Sequence, residues 1–348
     1  MLAAPPPNPL RVIETDDAAA WDAFVAAQPD STMCHRSGWR DVLKNILGHE
    51  TALLVAADHG GTWRGVLPLV RVRSVLGHYL VSIPFMNDGG PLGDDDAKAS
   101  LVEHAVADAR RTRAKLLELR SRDPLPGPVT SSGRKVAVHL ALPETVEALW
   151  ATTFKAKLRS QIRRPTKEGM TARDGSDQLD AFYSVFSRNM RDLGTPVLPR
   201  AFFARLLTVF GGSVSFTAVY TANGLAAAAA CCLTWKDEVE VTWASSLREL
   251  NHLSPNMLLY ANLMEQAIGR GSRTFNFGRS TPGSATHRFK LQWGGHDRPL
   301  AWPSWSPGGV ASTPSPDRPA FRVATAVWRR LPMPVANRVG PLLSRHLP

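Results

Sequence analysis

Two stretches of the chain carry the same order of sequence-predicted elements, and this internal duplication restricts the possible folds more than any other feature. In the first stretch, the β-like runs TALLVAAD and WRGVLPLVRVRS flank the turn signal His59-Gly60-Gly61. A strand YLVSIPF, a Gly-Pro loop, a helix KASLVEHAVADARRTRA and a strand KLLELRS follow. This order predicts a unit built as hairpin, strand, loop, helix and strand.

The second stretch repeats the order without repeating the residues. Here VSFTAVYT and LAAAAACCLTW flank Asn223-Gly224, and VEVTWASS, a loop, the helix PNMLLYANLMEQAIGRG and the strand RTFNFGRS follow. Hairpin, strand, loop, helix, strand is the core of an N-acetyltransferase fold. The expected fold class is therefore α/β (α+β), with tandem acyl-CoA N-acyltransferase-like domains, mixed central sheets and one shared cleft.

The remaining segments set the predicted domain limits. We expect a disordered tail over residues 1–10, an N-terminal domain over 11–143 and a C-terminal domain over 144–306. The second domain should begin with one basic linking helix over 144–168, since apolar residues recur there at helical spacing. Residues 307–348 read as a Pro-rich linker and a basic amphipathic tail, in which Pro332, Pro334 and Pro341 exclude one long helix.

Charge and composition limit the partners. The chain has 41 Lys and Arg against 30 Asp and Glu, a net charge of +11. This excess favours an anionic partner such as tRNA, coenzyme A or a nucleotide- or lipid-linked precursor, although an Arg-rich surface without a function explains it equally well. Three cysteines at this spacing favour neither a disulfide framework nor a metal site.

No apolar run approaches the roughly 18 residues of a membrane helix, and the opening MLAAPPPNPL lacks the pattern of a secretion signal. We therefore expect a cytoplasmic protein. Its basic, apolar tail is expected either to fold back on the protein or to make peripheral contact at the inner face of the membrane.

The segment from Phe275 to Gly294, FNFGRSTPGSATHRFKLQWG, is the strongest local signal. A strand that ends in Gly-Arg places Arg279 at the carboxyl end of a strand, where ligands collect in open α/β sheets. If Phe289 and Leu291 face the core of an alternating strand, Lys290 faces the opposite side. The alternative is a salt bridge at the rim for Arg279 and Lys290.

The run from Asn256 to Gly294 resembles the signature of FemABX-like proteins of the GNAT superfamily, in particular the subgroup associated with exosortase and PEP-CTERM systems. PFMNDGG (84–90), the basic run KLRSQIRRPTKEGM and the ending WRRLPMPVANRVGPLL agree with it. The chain departs from the subgroup at Asn276, Thr281 and Ala285, where Asp, Lys and a Gly-containing step are usual, so substrate contacts of that loop are expected to differ.

The resemblance implies an N-acyltransferase. Fem-type members transfer an amino acid from aminoacyl-tRNA to an amine of a peptidoglycan precursor, and related GNAT members use acyl-CoA. The lysine of the FK motif lies at their substrate site, a role that maps to Lys290.

From these arguments we expect candidate catalytic residues and a larger set of candidate substrate-binding residues, with no metal and no permanently bound cofactor. The catalytic candidates are Lys290, Arg279, His287 and Tyr260. The binding candidates are Asn87, Gly89, Gly90, Lys157, Arg159, Arg163, Arg248, His252, Asn256, Ser280 and Trp293.

The loops that could hold the pyrophosphate of coenzyme A are unsuited to it. The loop SLRELNHLSPNM offers Ser254 as a helix N-cap and Pro255 at the first helical position but contains no glycine, and NDGGPLGDDD adds three carboxylates beyond its first Asp. The run from Lys155 to Lys167 has six cations and no acid, which suits a phosphate backbone or simply a solvated face. The balance favours aminoacyl-tRNA over acyl-CoA as donor.

The leading hypothesis is transfer of an aminoacyl or acyl group to an amine of a cell-envelope acceptor, either a peptidoglycan precursor or an exopolysaccharide component. Because no nucleophile triad is evident, direct attack is expected. Two alternatives stay open: a CoA-dependent N-acetyltransferase or acyltransferase, and a non-catalytic scaffold of an envelope polysaccharide system. The sequence leaves the donor, the acceptor, the general base, the oligomeric state and the competence of the altered loop undetermined.

Overall fold

The computed structural model describes residues 10–74, 77–131, 133–309 and 319–346. The chain divides into two compact units, one of Met1–Gly133, Leu300–Thr313 and His346–Pro348, the other of Arg134–Pro299 and Pro314–Arg345. The expected disordered tail lies outside the described residues except for Leu10. Most of the expected linker, residues 310–318, lies outside them as well.

The first unit is a seven-stranded mixed sheet with helices packed against it. Its strands are β1 (Arg11–Glu14), β2 (Glu50–Ala57), β3 (Trp63–Ser74), β4 (Gly77–Val81), β5 (Leu92–Gly93), β6 (Leu116–Glu118) and β14 (Ser304–Trp305). Its helices are α1 (Ala18–Ala27), α2 (Gly38–Val42) and α3 (Asp95–Arg111), with short 3-10 and π segments at Met33–His35 and Leu43–Leu47. The strand order is β1-β2-β3-β4-β6-β14, and β5 pairs with β3.

The second unit contains a second seven-stranded mixed sheet. Its strands are β7 (Lys135–Ala141), β8 (Thr171–Asp174), β9 (Val214–Tyr220), β10 (Ala226–Trp235), β11 (Glu238–Ser246), β12 (Thr274–Ser280) and β13 (His296–Leu300). Its helices are α4 (Val146–Ala148), α5 (Ala156–Lys167), α6 (Leu179–Leu193), α7 (Arg200–Phe210), α8 (Pro255–Gly269), α9 (Ala285–Leu291), α10 (Pro319–Trp328) and α11 (Met333–Ser344). A π segment covers Leu149–Thr153, and 3-10 turns cover Ser176–Gln178, Gly211–Ser213 and Arg248–Leu253. The strand order is β13-β7-β12-β11-β10-β9-β8.

The duplication that the sequence predicts is present in both units. The series β2, β3, β4, α3, β6 corresponds to β9, β10, β11, α8, β12. Each series opens with antiparallel pairs and closes with a parallel pair, β4 with β6 and β11 with β12. The predicted α/β class with mixed sheets is confirmed.

On its other side, the last strand of each series pairs with a strand that does not belong to the series. β6 pairs with β14, from residues 304–305, and β12 pairs with β7, from residues 135–141, both antiparallel. The boundary that we expected between residues 143 and 144 therefore falls instead between Gly133 and Arg134. The physical reason is that β7 bonds to β12, whose backbone groups pair with it at five positions.

The expected single linking helix over 144–168 is interrupted. α4 passes into the π segment Leu149–Thr153, and Phe154 then adopts an extended conformation before α5 begins. The ring of Phe154 is 1% exposed and packs edge-on against Trp293, with ring centroids 5.5 Å apart. Burial of this ring in the core therefore coincides with the break in the helix.

Two separate clusters cover the two faces of the second sheet. One contains Cys232 and apolar residues of α5 and α8. On the other face, Trp243 of β11 packs edge-on against Phe203 of α7, and Phe216 of β9 packs against Phe182 of α6. Cys231 pairs across the sheet with Phe216 and Trp243 and thus shares their face.

The C-terminal helices belong to the second unit. Gly340 of α11 lies so close to Val197 that an added Cβ would stand 3.0 Å from it, and Arg191 donates a hydrogen bond to the carbonyl of Leu331 (3.1 Å). The opposite side carries exposed apolar residues, Val323, Val327, Val335, Leu342 and Leu343. Among the described residues, no helix combines the length and the apolar character needed to cross a bilayer.

Candidate functional site

The carboxyl ends of β11 and β12 separate from each other. Their parallel pairing covers Glu238–Glu240 and Thr274–Asn276 only, although β11 continues to Ser246 and β12 to Ser280. Beyond Glu240 and Asn276 the two strands therefore present backbone groups to an opening in the sheet. An opening at the carboxyl ends of parallel strands is where α/β sheets bind ligands.

Both strands are irregular beside this opening. The register of β11 against β10 shifts so that Thr242 has no opposite residue, and the register of β12 against β7 shifts between Asn276 and Arg279. Gly278 has φ +71°, and its N–H donates to the Oδ1 atom of Asn276 at 2.8 Å. A bulge of this kind re-aims backbone groups next to a site.

Lys290 reaches the end of β12 from α9. Its ammonium donates to the carbonyl oxygens of Gly278 (2.9 Å) and Arg279 (2.8 Å), and the residue is 8% exposed. The expectation of a strand through residue 290 is wrong: Ser284 caps α9 by accepting from the N–H of His287, and the helix continues to Leu291. Leu291 is exposed, whereas strand alternation had placed it in the core.

The surroundings of Lys290 make its charged form less favourable than it is in water. Burial lowers its pKa from 10.5 to about 8, Glu240 opposes this shift, and the Arg279 guanidinium adds to it. Lys290 thus keeps two charge-assisted hydrogen bonds in a place that disfavours the charge.

A second lysine near Arg279, Lys135, was not among the candidates. Its ammonium donates to the hydroxyl of Thr281 at 2.7 Å, and burial together with Arg279 lowers its pKa. Because Arg279 pairs with Ala137 across the sheet, the start of β7 lies beside the end of β12. Lys135 does not stand out in the sequence, because the boundary expected at residues 143 and 144 places Lys135–Ala141 in the first domain.

His287 is held at both ring nitrogens. Nδ1 accepts from the N–H of Gly283 (3.1 Å), so Nε2 carries the proton and donates to Asp297 at 2.7 Å. His287 is buried. Its two partners leave no lone pair for a substrate proton, so His287 fixes the loop before α9 to β13.

Tyr260 and Trp293 are core residues. The Tyr260 ring stacks on Phe277 with ring centroids 5.7 Å apart, and burial raises the pKa of its hydroxyl. Trp293 is completely buried in the same cluster. Both therefore stabilise the sheet behind the opening.

Polar side chains follow the end of β11. Asn256 at the start of α8 donates to Ser246 (3.0 Å), and Ser246 donates to Asn251 (2.9 Å). Arg248 and His252 are exposed in the preceding turn, and His252 Nδ1 lies 2.9 Å from the carbonyl of Glu249. Ser254 occupies the N-cap position of α8 but its side chain makes no capping bond, and its backbone is left-handed at φ +61°.

Ser280 closes β12. It is 5% exposed, and its hydroxyl is buried without a hydrogen-bond partner in the described part of the chain. The hydroxyl of Thr242 in the bulge of β11 has the same property. Two unsatisfied hydroxyls therefore lie on the two strands that separate.

The cations of α5 have two different surroundings. Arg159 donates to the carbonyls of Trp150 (3.1 Å) and Phe154 (2.7 Å), and the guanidinium of Arg163 lies 5.7 Å from the Trp150 ring centre. These two arginines stabilise the π segment. Four other cations of this run are exposed and form no ion pair within the described residues: Lys155, Lys157, Arg164 and Lys167.

The candidates of the first unit are buried. Asn87, Gly89 and Gly90 are buried, and a Cβ at Gly89 would collide with the side chain of Ile83. Trp302 donates to the carbonyl of Asn87 (2.9 Å), and His35 lies 2.9 Å from the carbonyl of Gly90. These contacts give the PFMNDGG loop an internal structural role in its unit.

The described residues offer neither a cluster of metal ligands nor an activated thiol. The described residues contain no group of three or more His, Cys, Asp and Glu able to hold a metal ion. All three cysteines are buried, and burial raises the pKa of Cys232 to about 12. The thiol of Cys232 is therefore protonated at neutral pH.

A family model described as an acetyltransferase (GNAT) domain matches residues 152–291. The matched range contains β11, β12, α8 and Lys290. These residues form a GNAT acetyltransferase domain. The GNAT domain confirms the predicted enzyme class, an acyltransferase, and implies acyl-CoA or a similar anionic donor as co-substrate.

Solved structures share the fold over most of the chain. The crystal structure of FemX has a TM-score of 0.61 and 14% identity, covering 84% of this chain and 96% of its own. The C-terminal domain of a putative lysylphosphatidylglycerol synthetase from Agrobacterium fabrum has a TM-score of 0.53 and 13% identity (88% and 92% covered). A tandem GNAT protein from the clavulanic acid biosynthesis pathway has a TM-score of 0.52 and 14% identity (87% and 100% covered). No curated protein sequence matches the chain.

The matches confirm the FemABX-like tandem GNAT fold that the sequence motifs predict. The exosortase-associated subgroup stays a prediction.

The lowered pKa of Lys290 leads to a stability prediction. Between about pH 8 and 10.5 the unfolded chain binds a proton on Lys290 that the folded chain has lost, so the free energy of unfolding of the wild type should rise with pH relative to Lys290→Met. Below about pH 8 the difference between the free energies of unfolding of the two proteins should not change with pH. Urea unfolding at a series of pH values measures it, with the exposed Lys44→Met as control. If the difference in the free energy of unfolding did not change between about pH 8 and 10.5, the lowered pKa of Lys290 would be contradicted.

Proposed function

We propose that the chain transfers an aminoacyl group from aminoacyl-tRNA to an amine of a cell-envelope acceptor at the opening between β11 and β12. The observation that carries the proposal is the Lys290 ammonium, bonded to two backbone carbonyls at the end of β12 beside Arg279. The acceptor class, a peptidoglycan precursor or an exopolysaccharide component, follows the family resemblance and the FemX fold.

The chemistry requires no covalent enzyme intermediate. The neutral amine of the acceptor attacks the ester carbonyl of the donor, the new C–N bond forms and the C–O bond to the ribose breaks. The proton that the amine loses goes to the departing ribose oxygen, which leaves as a hydroxyl. An ammonium has three N–H groups, and Lys290 uses two of them for Gly278 and Arg279. The third can donate to the oxyanion of the tetrahedral intermediate.

The choice of donor depends on two surfaces of the second unit. The turn before α8 contains no glycine, and Ser254 brings a Cβ and a left-handed backbone to the place where a pyrophosphate would approach. The exposed cations of α5 suit an RNA backbone, which binds through many separated phosphates. A lysylphosphatidylglycerol synthetase domain has the same fold, which is compatible with an aminoacyl donor.

The second candidate function is CoA-dependent N-acyl transfer at the same opening. The description of the matching family model, an acetyltransferase domain, favours it. The chemistry at Lys290 is unchanged, because a thioester carbonyl passes through the same oxyanion.

We also propose that the protein works in the cytoplasm, at the inner face of the membrane, with α10 and α11 resting on anionic lipid. Residues 319–346 contain no acidic residue. Five of the nine exposed large apolar residues in the described part of the chain belong to these two helices. Exposed Arg329, Arg330, Arg338 and Arg345 accompany them. Apolar residues interleaved with arginines match the boundary between headgroups and acyl chains.

Lys290→Met should abolish most of the transfer while the protein stays folded, because the stem is preserved and only the ammonium is lost. We expect the rate at saturation to fall about a hundredfold or more, as on loss of an oxyanion donor. Arg279→Lys should also reduce the rate, since a point charge does not replace a guanidinium fork. The comparison variant is Lys157→Met on α5, which should weaken donor affinity and its salt dependence with little change at saturation. Full activity of Lys290→Met would place the reacting centre elsewhere.

Calorimetry separates the two donors. Acetyl-CoA should bind weakly or not at all, whereas a charged tRNA should bind with an affinity that falls as the salt concentration rises. The Lys157→Met and Lys167→Met variants should reduce the slope of that salt dependence. Micromolar affinity for acetyl-CoA would reverse the preference and make the CoA-dependent reaction the leading function.

Vesicle sedimentation tests the membrane surface. The wild type should bind vesicles that contain phosphatidylglycerol and ignore vesicles of phosphatidylcholine alone. The double variant Val327→Asp, Leu343→Asp should lose this binding, because it puts carboxylates into the apolar side of α10 and α11. Leu225→Asp, at the exposed turn between β9 and β10, is the matched control and should bind like the wild type. Equal binding of both variants would exclude these helices as the contact.

A further inference from the structure

The last turn of α6 holds the carboxyl end of β11. The side-chain amide of Asn189 donates a hydrogen bond to the hydroxyl of Ser245 at 3.0 Å. One residue earlier, Arg188 forms an ion pair with Glu249 in the turn before α8, at 2.7 Å. Ser245 is buried, whereas the ion pair is open to solvent. The bond to the buried hydroxyl is therefore the stronger of the two contacts, because exposed ion pairs contribute little.

Ser245 is adjacent to the polar side chains that follow β11. The next residue, Ser246, is hydrogen-bonded to Asn251 (2.9 Å) and to Asn256 at the start of α8 (3.0 Å). Neighbouring residues of a strand point to opposite faces of the sheet. The end of β11 is thus held from both faces, by α6 through Ser245 and by the turn and α8 through Ser246. The position of α6 therefore affects the strand end beside the opening.

The same turn of α6 is hydrogen-bonded to the C-terminal helices. Arg191 donates to the carbonyl of Leu331, between α10 and α11, at 3.1 Å. Arg329, directly after α10, donates to the carbonyl of Leu193 at 3.4 Å. This second bond supplies a partner to a carbonyl of the last helical turn, which has none within its own helix. Asn189 and Arg191 are two residues apart, about 3 Å along the helix axis. One rigid turn therefore joins the C-terminal helices to β11.

The loop after α6 packs directly against α10 and α11. Gly194 has φ +81°, and an added Cβ would collide with the side chain of Thr325 in α10. Farther along this loop, Val197 is in close contact with Gly340 of α11. Glycine at both contacts lets the two helices approach the loop backbone. Because close-packed groups leave no free volume to absorb a displacement, a movement of α10 and α11 is transmitted to α6.

The exposed apolar surface of the C-terminal helices continues onto α6. Leu193, the last residue of α6, is 44% exposed, and its carbonyl is bonded to Arg329 of the surface that we propose rests on lipid. Leu193 is thus the sixth of the nine exposed large apolar residues in the described part of the chain to belong to this surface. Lipid bound there contacts α6 itself as well as α10 and α11.

We propose that Asn189 is a positioning residue of the site, through which lipid bound at α10, α11 and Leu193 restrains the carboxyl end of β11. Lipid fixes the C-terminal helices against the loop, the bonds of Arg191 and Arg329 hold the last turn of α6, and Asn189 passes the restraint to Ser245. The strand end beside the opening is therefore more ordered in the lipid-bound protein than in the free protein. The benefit for transfer rests on the proposed function, whereas the restraint itself does not.

Amide hydrogen exchange of the full chain, measured by mass spectrometry, tests this restraint without any substrate. Residues 245–254 cover the end of β11 and the turn before α8, and the amides of Leu247, Leu250 and Ser254 are hydrogen-bonded there. Saturating vesicles of phosphatidylglycerol and phosphatidylcholine should slow exchange in this segment about fivefold or more, the low end of coupling between two sites. Vesicles of phosphatidylcholine alone should leave it unchanged.

Two variants remove the same hydrogen bond from either side. Asn189→Ala and Ser245→Ala should each lose the slowing, while both proteins still sediment with the vesicles because their lipid-facing residues are unchanged. The matched control is Asn45→Ala, which removes an Asn side-chain bond to Asp41 in the first unit (2.8 Å) and should respond like the wild type.

Three results would overturn the role of Asn189. They are the absence of slowing in the wild type, slowing that survives either Asn189→Ala or Ser245→Ala, and loss of slowing in Asn45→Ala. Slowing that survives removal of the bond would mean that lipid covers the turn directly. A wild type that does not bind the vesicles would overturn the proposed membrane contact as well.

Failure of this restraint is distinguishable from failure of the proposed function. Transfer that depends on Lys290 without any slowing of exchange overturns the role of Asn189 alone. Slowing that depends on Asn189 in a protein that transfers nothing leaves the restraint standing and overturns the function. If both hold, vesicles should raise kcat for a water-soluble amine acceptor, and Asn189→Ala should lose this increase.

Discussion

The separation of β11 from β12 is the constraint on which the site depends. Backbone groups inside a sheet need partners, and two parallel strands that stop pairing have to satisfy theirs otherwise. On β12 a lysine satisfies them, because the Lys290 ammonium donates hydrogen bonds to the carbonyls of Gly278 and Arg279. A charge is thereby positioned at the open end of the sheet by the same bonds that satisfy the backbone there, and removal of the lysine affects both.

The surrounding elements hold this lysine in place. The Ser284 cap starts α9, and His287, one turn before Lys290, ties the helix to β13 through Asp297. The rings of Phe277, Tyr260 and Phe289 fill the space behind the strand. These unreactive apolar side chains therefore pack behind the Lys290 ammonium and fix its position. Tyr260 and Trp293 contribute to the site through this packing.

Local pattern was enough to predict most of the fold. Both hairpins, with turns at His59-Gly60-Gly61 and Asn223-Gly224, follow from alternation and turn chemistry, and α8 begins at the predicted Ser254-Pro255. Two features were missed, one that depends on a partner distant in the sequence and one that depends on a local helix cap. The sequence of the strand Lys135–Ala141 is equally compatible with pairing to β6 and with pairing to β12. Only pairing with β12 brings Lys135 close to the end of the strand that carries Arg279. Residues 285–291 alternate like a strand, and the Ser284 cap decides for a helix.

β7 directly follows β6 in the sequence but pairs with β12 in the second sheet, whereas β14 follows the second sheet in the sequence but pairs with β6 in the first. This order has a consequence for synthesis on the ribosome. β7 leaves the ribosome directly after β6, but its partner β12 begins at Thr274, about 130 residues later, which at ~5–20 residues per second takes on the order of 10 s. During this interval the edge of β6, which contains buried Leu116 and Leu117, is also without β14. The nascent chain thus offers β7 to the wrong neighbour first, in the antiparallel sense that β14 later adopts. Correct folding of the chain therefore has to undo or avoid that pairing.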